Sequence, residues 1–235
     1  MKKVAVLGPI LARWKDHVYL MKPFDKLSNQ KLKFKAIDPL IFCYGCDSLK
    51  QAKNNFLGWL KLNKNEYDIF MGFALGGTLI QTVFDEGILD DKKVILFSSP
   101  SIADERLKSK ISKILDYLDK ADLTSALIAK EKIAANLDDY VINYKLSKME
   151  KIEAIERMQL GFNLILQANL SVLEKVPKNT KVYIGEKSQL ATPNNVKLPT
   201  DKQVIVPNAS MRLFQDNLDF MLNELDKTIK EWCCE

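Results

Sequence analysis

A glycine-rich turn joins a short apolar segment to a stretch with helical spacing in the first half of the chain. The turn is Gly72-Phe73-Ala74-Leu75-Gly76-Gly77, with apolar residues at 67–71 before it and helically spaced apolar residues at 75–84. A strand that passes into a helix over one or two residues needs a strained turn, and small neighbouring residues let the two elements approach closely. Enzymes use such turns to present a serine nucleophile. Here the turn carries Ala74, whose methyl group cannot attack a carbonyl.

Other reactive side chains are few. Cys43 and Cys46 form a Cys-x-x-Cys pair, which suits a redox site, a metal site or two reduced thiols in a cytosolic protein. His17 is the single histidine and could activate one of these thiols, although a position on a helix surface is the more ordinary interpretation. Nothing else supplies thiolate or imidazole ligands at zinc spacing, so we expect no metal ion and no cofactor.

Composition excludes several classes of function. The chain of 235 residues is 47% hydrophobic, 28% charged and carries a net charge of +5. Charges of both signs are mixed, and no basic run is interleaved with aromatic residues, so we expect a solvated lysine-rich surface and no nucleic-acid partner. The apolar segment near the N-terminus is too short for a signal peptide or a spanning helix, so we expect no membrane association and a cytoplasmic location.

Six short apolar segments are typical of strands, and helical patterns separate most of them. The segment at 33–38 alternates, whereas the segment at 92–99 is nearly all apolar. Continuous apolar strands that alternate along the chain with helices predict a mostly parallel sheet buried on both faces. The expected strands are residues 3–7, 33–38, 67–71, 92–99, 181–185 and 203–206. Helices are expected at 11–27, at 49–60 with Asp47 or Ser48 as its cap, at 75–84 and at 213–229.

The region from 101 to about 175 contains helical patterns and no convincing strand. We expect a helical lid here, followed by one helix that returns to the sheet. The predicted organisation is therefore one structural domain, with a first core part at 1–100, the lid and returning helix at 101–175, and a second core part at 176–235.

The turn at 72–77 and this order of elements resemble the α/β-hydrolases, in which the turn is a nucleophile elbow of the form Gly-x-Ser-x-Gly-Gly. The nearest subgroup is the small carboxylesterases with a four-helix lid, such as the pimeloyl-carrier-protein methyl ester esterases of biotin synthesis. The resemblance covers nearly the whole chain, which would begin at the third strand of the family. It implies an α/β-hydrolase fold with a mostly parallel central sheet, helices on both faces and a helical cap.

Two further phrases place the remaining triad positions of that family. The phrase Gly-Glu-x-Asp-x-x-x-x-Pro matches residues 185–193 and puts the acid position at Ser188. The phrase Ile-Pro-x-Ala-Gly-His matches residues 206–211 and puts the histidine position at Met211. With Ala74 at the serine position, all three triad positions are empty, and losing any one member removes most of the rate.

The resemblance also implies an oxyanion hole made by two backbone N–H groups. One belongs to Leu75, which follows the elbow residue and is available. The other maps to Pro9, which has no N–H, or to Ile10 if the loop is shifted by one residue.

Several side chains near the empty triad remain candidates for binding. Phe73, Ala74, Met211 and the lid helices are expected to wall an apolar pocket. Arg212 could hold a carboxylate or phosphate there, although a surface role is the more ordinary interpretation. Ser99 stands at the end of the fourth expected strand, where a capping role competes with a pocket role. Asp47, Asp104 and Glu186 are expected near the same crevice, although lone carboxylates are ordinarily solvated.

Two hypotheses follow. In the first, the protein is non-catalytic and binds either a small hydrophobic or acyl ligand or a protein partner. The partner would be an active enzyme or an acyl-carrier protein, whose acidic surface the lysines of the lid would attract. In the second, it hydrolyses esters or thioesters of the biotin-pathway type with non-standard catalytic residues, for which Cys43, Cys46 and His17 are the candidates.

Overall fold

The computed structural model describes residues 1–30, 32–138, 146–170 and 175–233. Six strands form one sheet in the order β2-β1-β3-β4-β5-β6, and all five neighbouring pairs are parallel. The strands are β1 (Lys2–Leu7), β2 (Leu32–Ile37), β3 (Ile69–Phe73), β4 (Lys93–Phe97), β5 (Thr180–Gly185) and β6 (Gln203–Val206). The predicted parallel sheet is confirmed, with strand ends close to those expected.

Eight α-helices accompany the sheet in the described part of the chain. They are α1 (His17–Met21), α2 (Leu49–Asn63), α3 (Leu75–Gln81), α4 (Glu105–Asp119), α5 (Leu123–Ala135), α6 (Lys148–Ile165), α7 (Leu213–Asp216) and α8 (Leu218–Cys233). The cap of α2 is Ser48, whose hydroxyl accepts from the Gln51 N–H in a capping box. The helical patterns of 101–175 thus become three helices, and the last part of the pattern, at 171–174, lies outside the described residues.

Two predicted continuous helices are interrupted. The segment predicted as one helix at 11–27 forms a 3₁₀ turn (Trp14–Asp16), the short α1 and a second 3₁₀ segment (Lys22–Gln30). Pro23 lies in the second segment and has no N–H to donate, which opposes a regular α-helix. The C-terminal helix is divided at Asn217, which has an extended backbone (φ −146°, ψ 69°) and whose side-chain oxygen accepts from the Phe220 N–H. Apolar spacing did not show either break.

Alternate residues of each central strand enter different hydrophobic clusters on the two faces of the sheet. In β1, Ala5 and Leu7 join the cluster that contains residues of α2 to α6, whereas Val4 and Val6 join the cluster that contains residues of α7 and α8. All four side chains have no solvent exposure. This two-sided burial explains why the central strands are continuously apolar in the sequence.

The two edges of the sheet differ in chemistry. β2 forms one edge, where Lys33 and Lys35 are exposed and alternate with the half-buried Leu32, Phe34 and Ala36. β6 forms the other edge and exposes Ile205. Lysines on an edge strand oppose its pairing with a further strand.

The turn after β3 is strained and tightly packed. Ala74 has φ 46° and ψ −115°, a positive φ that side chains other than glycine rarely adopt. A Cβ atom added to Gly76 would lie 2.5 Å from the Leu7 carbonyl oxygen, and one added to Gly77 would lie 1.9 Å from Ser99 Oγ. These glycines therefore let α3 lie directly against the ends of β1 and β4.

Helix α6 is fastened to the loops after β1 and β2 by a buried arginine. Arg157 Nη2 lies 2.8 Å from Asp38 Oδ2 in an ion pair whose side chains are 4% and 9% exposed. The contact is an ion pair without a well-aligned hydrogen bond from Nη2. Its Nε donates to the Leu11 carbonyl at 3.2 Å, and its Nη1 donates to the Tyr44 hydroxyl at 3.1 Å. Gly161 of α6 also packs so closely on Ile10 that an added Cβ would lie 2.7 Å from it.

Substituting Gly77 by alanine tests the packing of the turn. The added methyl group has no space beside Ser99, so we expect Gly77→Ala to lower the free energy of unfolding by about 1–3 kcal/mol. Gly58→Ala is the matched control, because Gly58 lies in α2 with no atom within 4 Å of an added Cβ. Alanine there should raise the stability by up to about 1 kcal/mol. Urea unfolding followed by circular dichroism measures both; equal stabilities of the two variants would contradict the close contact.

The buried ion pair predicts a non-additive double-mutant cycle. Asp38→Asn keeps an acceptor for the Leu40 N–H, which Asp38 Oδ1 binds at 3.1 Å, but leaves the Arg157 cation uncompensated. We expect this variant to lose about 3 kcal/mol of stability, whereas Asp38→Asn with Arg157→Met should lose less than the two single variants together. The measurement is again urea unfolding. If the double variant lost as much stability as the two single variants added together, the two charges would make no net contribution to stability through each other.

Candidate functional site

The three positions that the sequence predicts to match a catalytic triad follow the carboxyl ends of three parallel strands and thus lie along one edge of the sheet. Ala74 follows β3, Ser188 follows β5 and Met211 follows β6. The Ala74 N–H donates to the Phe97 carbonyl at 3.1 Å, and the hydroxyl of the next residue, Ser98, donates to the Met211 carbonyl at 3.3 Å. These bonds join the loops after β3, β4 and β6.

The loops after β5 and β6 pack side by side. A Cβ atom added to Gly185 would lie 1.9 Å from the Ser210 carbonyl oxygen, and the Lys187 N–H donates to the Ala209 carbonyl at 2.8 Å. Glu186 is exposed, and its carboxylate accepts from the Asn208 N–H at 2.8 Å. The structure thus brings together the two loops that would carry an acid and a histidine, without supplying either side chain at Ser188 or Met211.

Ser188 and Met211 are engaged in structural contacts. Ser188 is 5% exposed, and its hydroxyl accepts from the Ala191 N–H at 3.2 Å, which closes a local turn. Met211 is half-buried against the core, and its N–H donates to the Ala134 carbonyl of α5 at 3.1 Å. A hydroxyl is neither a strong acid nor a strong base at neutral pH, and a thioether cannot carry a catalytic proton. Neither position can activate a nucleophile.

The predicted oxyanion groups have different surroundings. Leu75 is the first residue of α3, so its N–H has no acceptor within the helix. Pro9 is half-buried and has no N–H, while Ile10 is 6% exposed and packs on Gly161 of α6. A methyl group at Gly8 would lie 2.8 Å from the Trp14 ring. The loop after β1 is therefore in close contact with both Trp14 and α6.

Phe73 and Ser99 make internal contacts. The Phe73 ring stacks on Phe97 with centroids 4.4 Å apart and also meets Phe24 and Phe214 in the core on the other face of the sheet. Ser99 has no solvent exposure, and its hydroxyl lies 3.0 Å from the Phe97 carbonyl oxygen. These placements do not favour contact with a ligand in the expected pocket, and that role stays a prediction for both residues.

Arg212 takes part in a charged cluster that links α5 to the loop after β6. Its guanidinium contacts the Glu131 carboxylate, and Lys130 Nζ lies 2.9 Å from the other oxygen of that carboxylate. Burial lowers the pKa of Arg212; burial and the nearby Arg212 charge lower the pKa of Lys130 to about 8, against the opposing effect of Asp16. The cation expected to bind a ligand anion is thus paired with an acid of its own chain.

His17 and the two cysteines have separate partners. The imidazole Nδ1 lies 2.7 Å from the Trp14 carbonyl oxygen, and its ring stacks on Trp14 with centroids 4.6 Å apart. The Cys43 thiol donates to the Pro39 carbonyl at 3.4 Å and the Cys46 thiol to the Phe42 carbonyl at 3.5 Å. Burial, followed by the charges of Cys46 and Asp38, raises the pKa of Cys43 to about 12. These contacts do not support a thiol nucleophile activated by imidazole.

A cavity of about 330 Å³ lies where the C-terminal end of α5 meets the loops after β5 and β6. Its lining is mostly polar and consists of Ala135, Asn136, Lys187, Asn208, Ser210 and Asp216, none of which belongs to the apolar pocket expected from the sequence. Asp216 accepts from both the N–H and the hydroxyl of Ser210, at 2.7 and 2.5 Å. Sequence reasoning did not find this cavity, because three distant segments contribute its lining and none of them carries a recognisable motif.

No cluster of three or more His, Cys, Asp or Glu side chains suited to a metal ion occurs in the part of the chain that the structure describes. No helix among the described residues combines the length and apolar character needed to cross a bilayer.

Comparison with known proteins identifies the fold. No family model and no curated protein matches the sequence. The structure is similar to MGS-M2, an α/β hydrolase enzyme from a Medee basin deep-sea metagenome library, with a TM-score of 0.65 and 10% sequence identity over 100% of this chain and 90% of that one. It is also similar to ClbQ from the colibactin NRPS/PKS pathway, with a TM-score of 0.62 and 13% identity over 98% of both chains. A thermophilic esterase is similar with a TM-score of 0.61 and 15% identity over 98% of this chain and 90% of that one.

At such low identity the likeness extends to the fold and not to the activity. The likeness covers almost the whole length of both chains in each case, so it includes the sheet and the helices between β4 and β5. The predicted fold class is therefore confirmed: this chain has the α/β-hydrolase fold.

Proposed function

We propose that this protein is a non-catalytic α/β-hydrolase-fold protein that acts by binding. The observation that carries the proposal is Ala74, which occupies a turn with the positive φ of 46° but offers only a methyl group. A strained backbone at a functional position ordinarily serves to present a reactive side chain. Here the strain is present without the group that it would present.

Loss of chemistry at the other two positions supports the same proposal. Triad catalysis needs a nucleophile, a base to take its proton and an acid to orient the base. Ser188 supplies no acid to orient a base, and Met211 supplies no base to take the proton of a nucleophile. Both residues are held by contacts to their own chain. A substitution at Ala74 alone would therefore not restore the reaction.

Two kinds of binding partner fit this proposal. A small hydrophobic or acyl ligand would need an apolar space beside Ala74, but Ala74 is only 8% exposed and Ile10 is packed on Gly161. A protein partner, such as an active enzyme or an acyl-carrier protein, needs only a surface and is favoured by this close packing. Acidic and basic residues balance over 101–175, so net charge of this segment does not by itself select an acidic carrier.

The second candidate is an ester or thioester hydrolase that uses non-standard residues. This alternative rests on Cys43 and Cys46, which follow β2 at the same edge of the sheet as Ala74. The burial of both thiols and the separate partners of His17 weigh against it. We therefore prefer the non-catalytic proposal.

Native mass spectrometry of the purified protein distinguishes the binding partners. The protein is sprayed alone, with fatty acids and acyl thioesters of graded length, and with an acyl-carrier protein. We expect no stoichiometric acyl ligand and a mass shift only with a protein. Capture of an acyl chain at one per protein would instead show that the packed region opens for a small ligand.

A hydrolysis panel tests the absence of catalysis. Methyl esters, p-nitrophenyl acyl esters and acyl thioesters should be hydrolysed no faster with the wild-type protein than in buffer. Ala74→Ser should remain inactive, because Ser188 and Met211 provide no base. The triple variant Ala74→Ser, Ser188→Asp, Met211→His supplies all three groups and is the matched comparison. Turnover by the wild-type protein that persists through purification would refute the non-catalytic proposal.

The Cys43 thiol provides a separate test of the thiol alternative. Because its pKa is raised to about 12, alkylation of the folded protein should be slow at neutral pH and rise about tenfold for each unit of pH. The unfolded chain loses this proton near its ordinary value of 9.0, so the free energy of unfolding should fall as pH rises from there towards about 12. Peptide mapping after iodoacetamide treatment, with a urea-unfolded control, measures the labelling. Rapid labelling of folded Cys43 would revive the thiol alternative.

A further inference from the structure

Cys43 and Cys46 are the first and fourth residues of one tight turn after β2. The Cys46 N–H donates to the Cys43 carbonyl at 3.0 Å, and Gly45 has a positive φ of 72°. In a β-turn the Cα atoms of these two positions lie within about 7 Å of each other. A disulfide spans Cα separations of about 4.4–6.8 Å, so this backbone brings the two cysteines within reach of a disulfide without unfolding.

Both thiols are reduced and held apart by carbonyl partners. Cys43 has no solvent exposure, whereas Cys46 is 9% exposed and also accepts from the Asn55 amide at 3.3 Å. Burial raises the pKa of Cys43, and burial followed by the Asp47 charge raises the pKa of Cys46. Thiolate formation is therefore disfavoured in the reduced protein, which slows exchange but does not oppose the disulfide once it has formed.

The residue between the two cysteines is coupled to α6. Tyr44 is 53% exposed, yet its hydroxyl accepts from Arg157 Nη1 at 3.1 Å. The same guanidinium pairs with Asp38 and donates to the Leu11 carbonyl. Tyr44, which lies within the Cys43–Cys46 turn, is thus one of three partners through which Arg157 attaches α6 to the loops after β1 and β2.

We propose that Cys43 and Cys46 form a reversible redox site whose disulfide loosens α6 by displacing Tyr44 from Arg157. Closing the bond requires at least one sulfur to leave its carbonyl acceptor, Pro39 or Phe42, and to rotate towards the other. The turn that carries Tyr44 must adjust with it. Tyr44 has little packing to hold it, so its bond to Arg157 breaks before the buried Asp38 pair does.

The reaction balances with a low-molecular-weight disulfide as the oxidant. The Cys46 sulfur, which is the more exposed, loses its proton to water and attacks one sulfur of the oxidant, releasing one small thiolate. The Cys43 sulfur then loses its proton, attacks the Cys46 sulfur and releases the second small thiolate, and both released thiolates take up protons. The two protein thiols are oxidised to one disulfide, and the oxidant is reduced to two thiols.

The test uses the full chain with Cys233→Ser and Cys234→Ser, so that only Cys43 and Cys46 can react. The folded protein is incubated with excess oxidised glutathione at mildly alkaline pH, where the thiols ionise more readily. We expect a product lighter by two hydrogen atoms, which no longer alkylates and which dithiothreitol reverses. Adding Cys43→Ser should stop the reaction at the mixed disulfide. Failure of the folded protein to form the internal disulfide overturns the proposal.

Hydrogen exchange tests the coupling to α6. Oxidation should accelerate amide exchange in Lys148–Ile165 by about tenfold, the scale expected from losing one hydrogen bond to a charged group. Tyr44→Phe is the matched control, since it keeps both cysteines and lacks only the hydroxyl. In that variant α6 should exchange faster already when reduced, and oxidation should add nothing. A disulfide that forms while α6 exchange stays unchanged overturns the coupling.

Discussion

The contact between α3 and the ends of β1 and β4 is the constraint on which the rest of the molecule depends. Gly76 and Gly77 leave no room for side chains against Leu7 and Ser99, so the helix must leave β3 through a single strained residue, Ala74. This turn fixes the loops at the same edge of the sheet, because Ala74 bonds to the end of β4, and the following Ser98 bonds to Met211. Close packing of α3 on these strands is sufficient to account for the geometry of the turn.

The helices between β4 and β5 complete the enclosure of this edge. α6 places the Arg157 guanidinium among Asp38, Leu11 and Tyr44, while α5 binds the loop after β6 through Ala134 and Glu131. These contacts tie α6 to the loops after β1 and β2, and α5 to the loop after β6. Loops from three strands are thereby held against the helices that lie between β4 and β5 in the chain.

Local patterns predicted the sheet, because the central strands are short apolar segments and β2 alternates, and they predicted the elbow, because its glycines are close together in the sequence. The interrupted helices at Pro23 and Asn217 show the limit of apolar spacing, which does not register a missing donor or a capping side chain. Local sequence patterns do not predict contacts between segments that are distant in the chain. Arg157 occurs in a pattern that suits an exposed helix face, and no neighbouring residue in the sequence indicates that it forms a buried ion pair with Asp38. The polar cavity was missed for the same reason.

The exposed lysines of β2 bear on how this molecule can associate with others. Two copies that met edge to edge along β2 would bring Lys33 and Lys35 of each strand next to those of the other, and like charges at that spacing repel. This repulsion opposes extension of the sheet between two copies at the β2 edge, and with it the kind of pairing that leads to fibres.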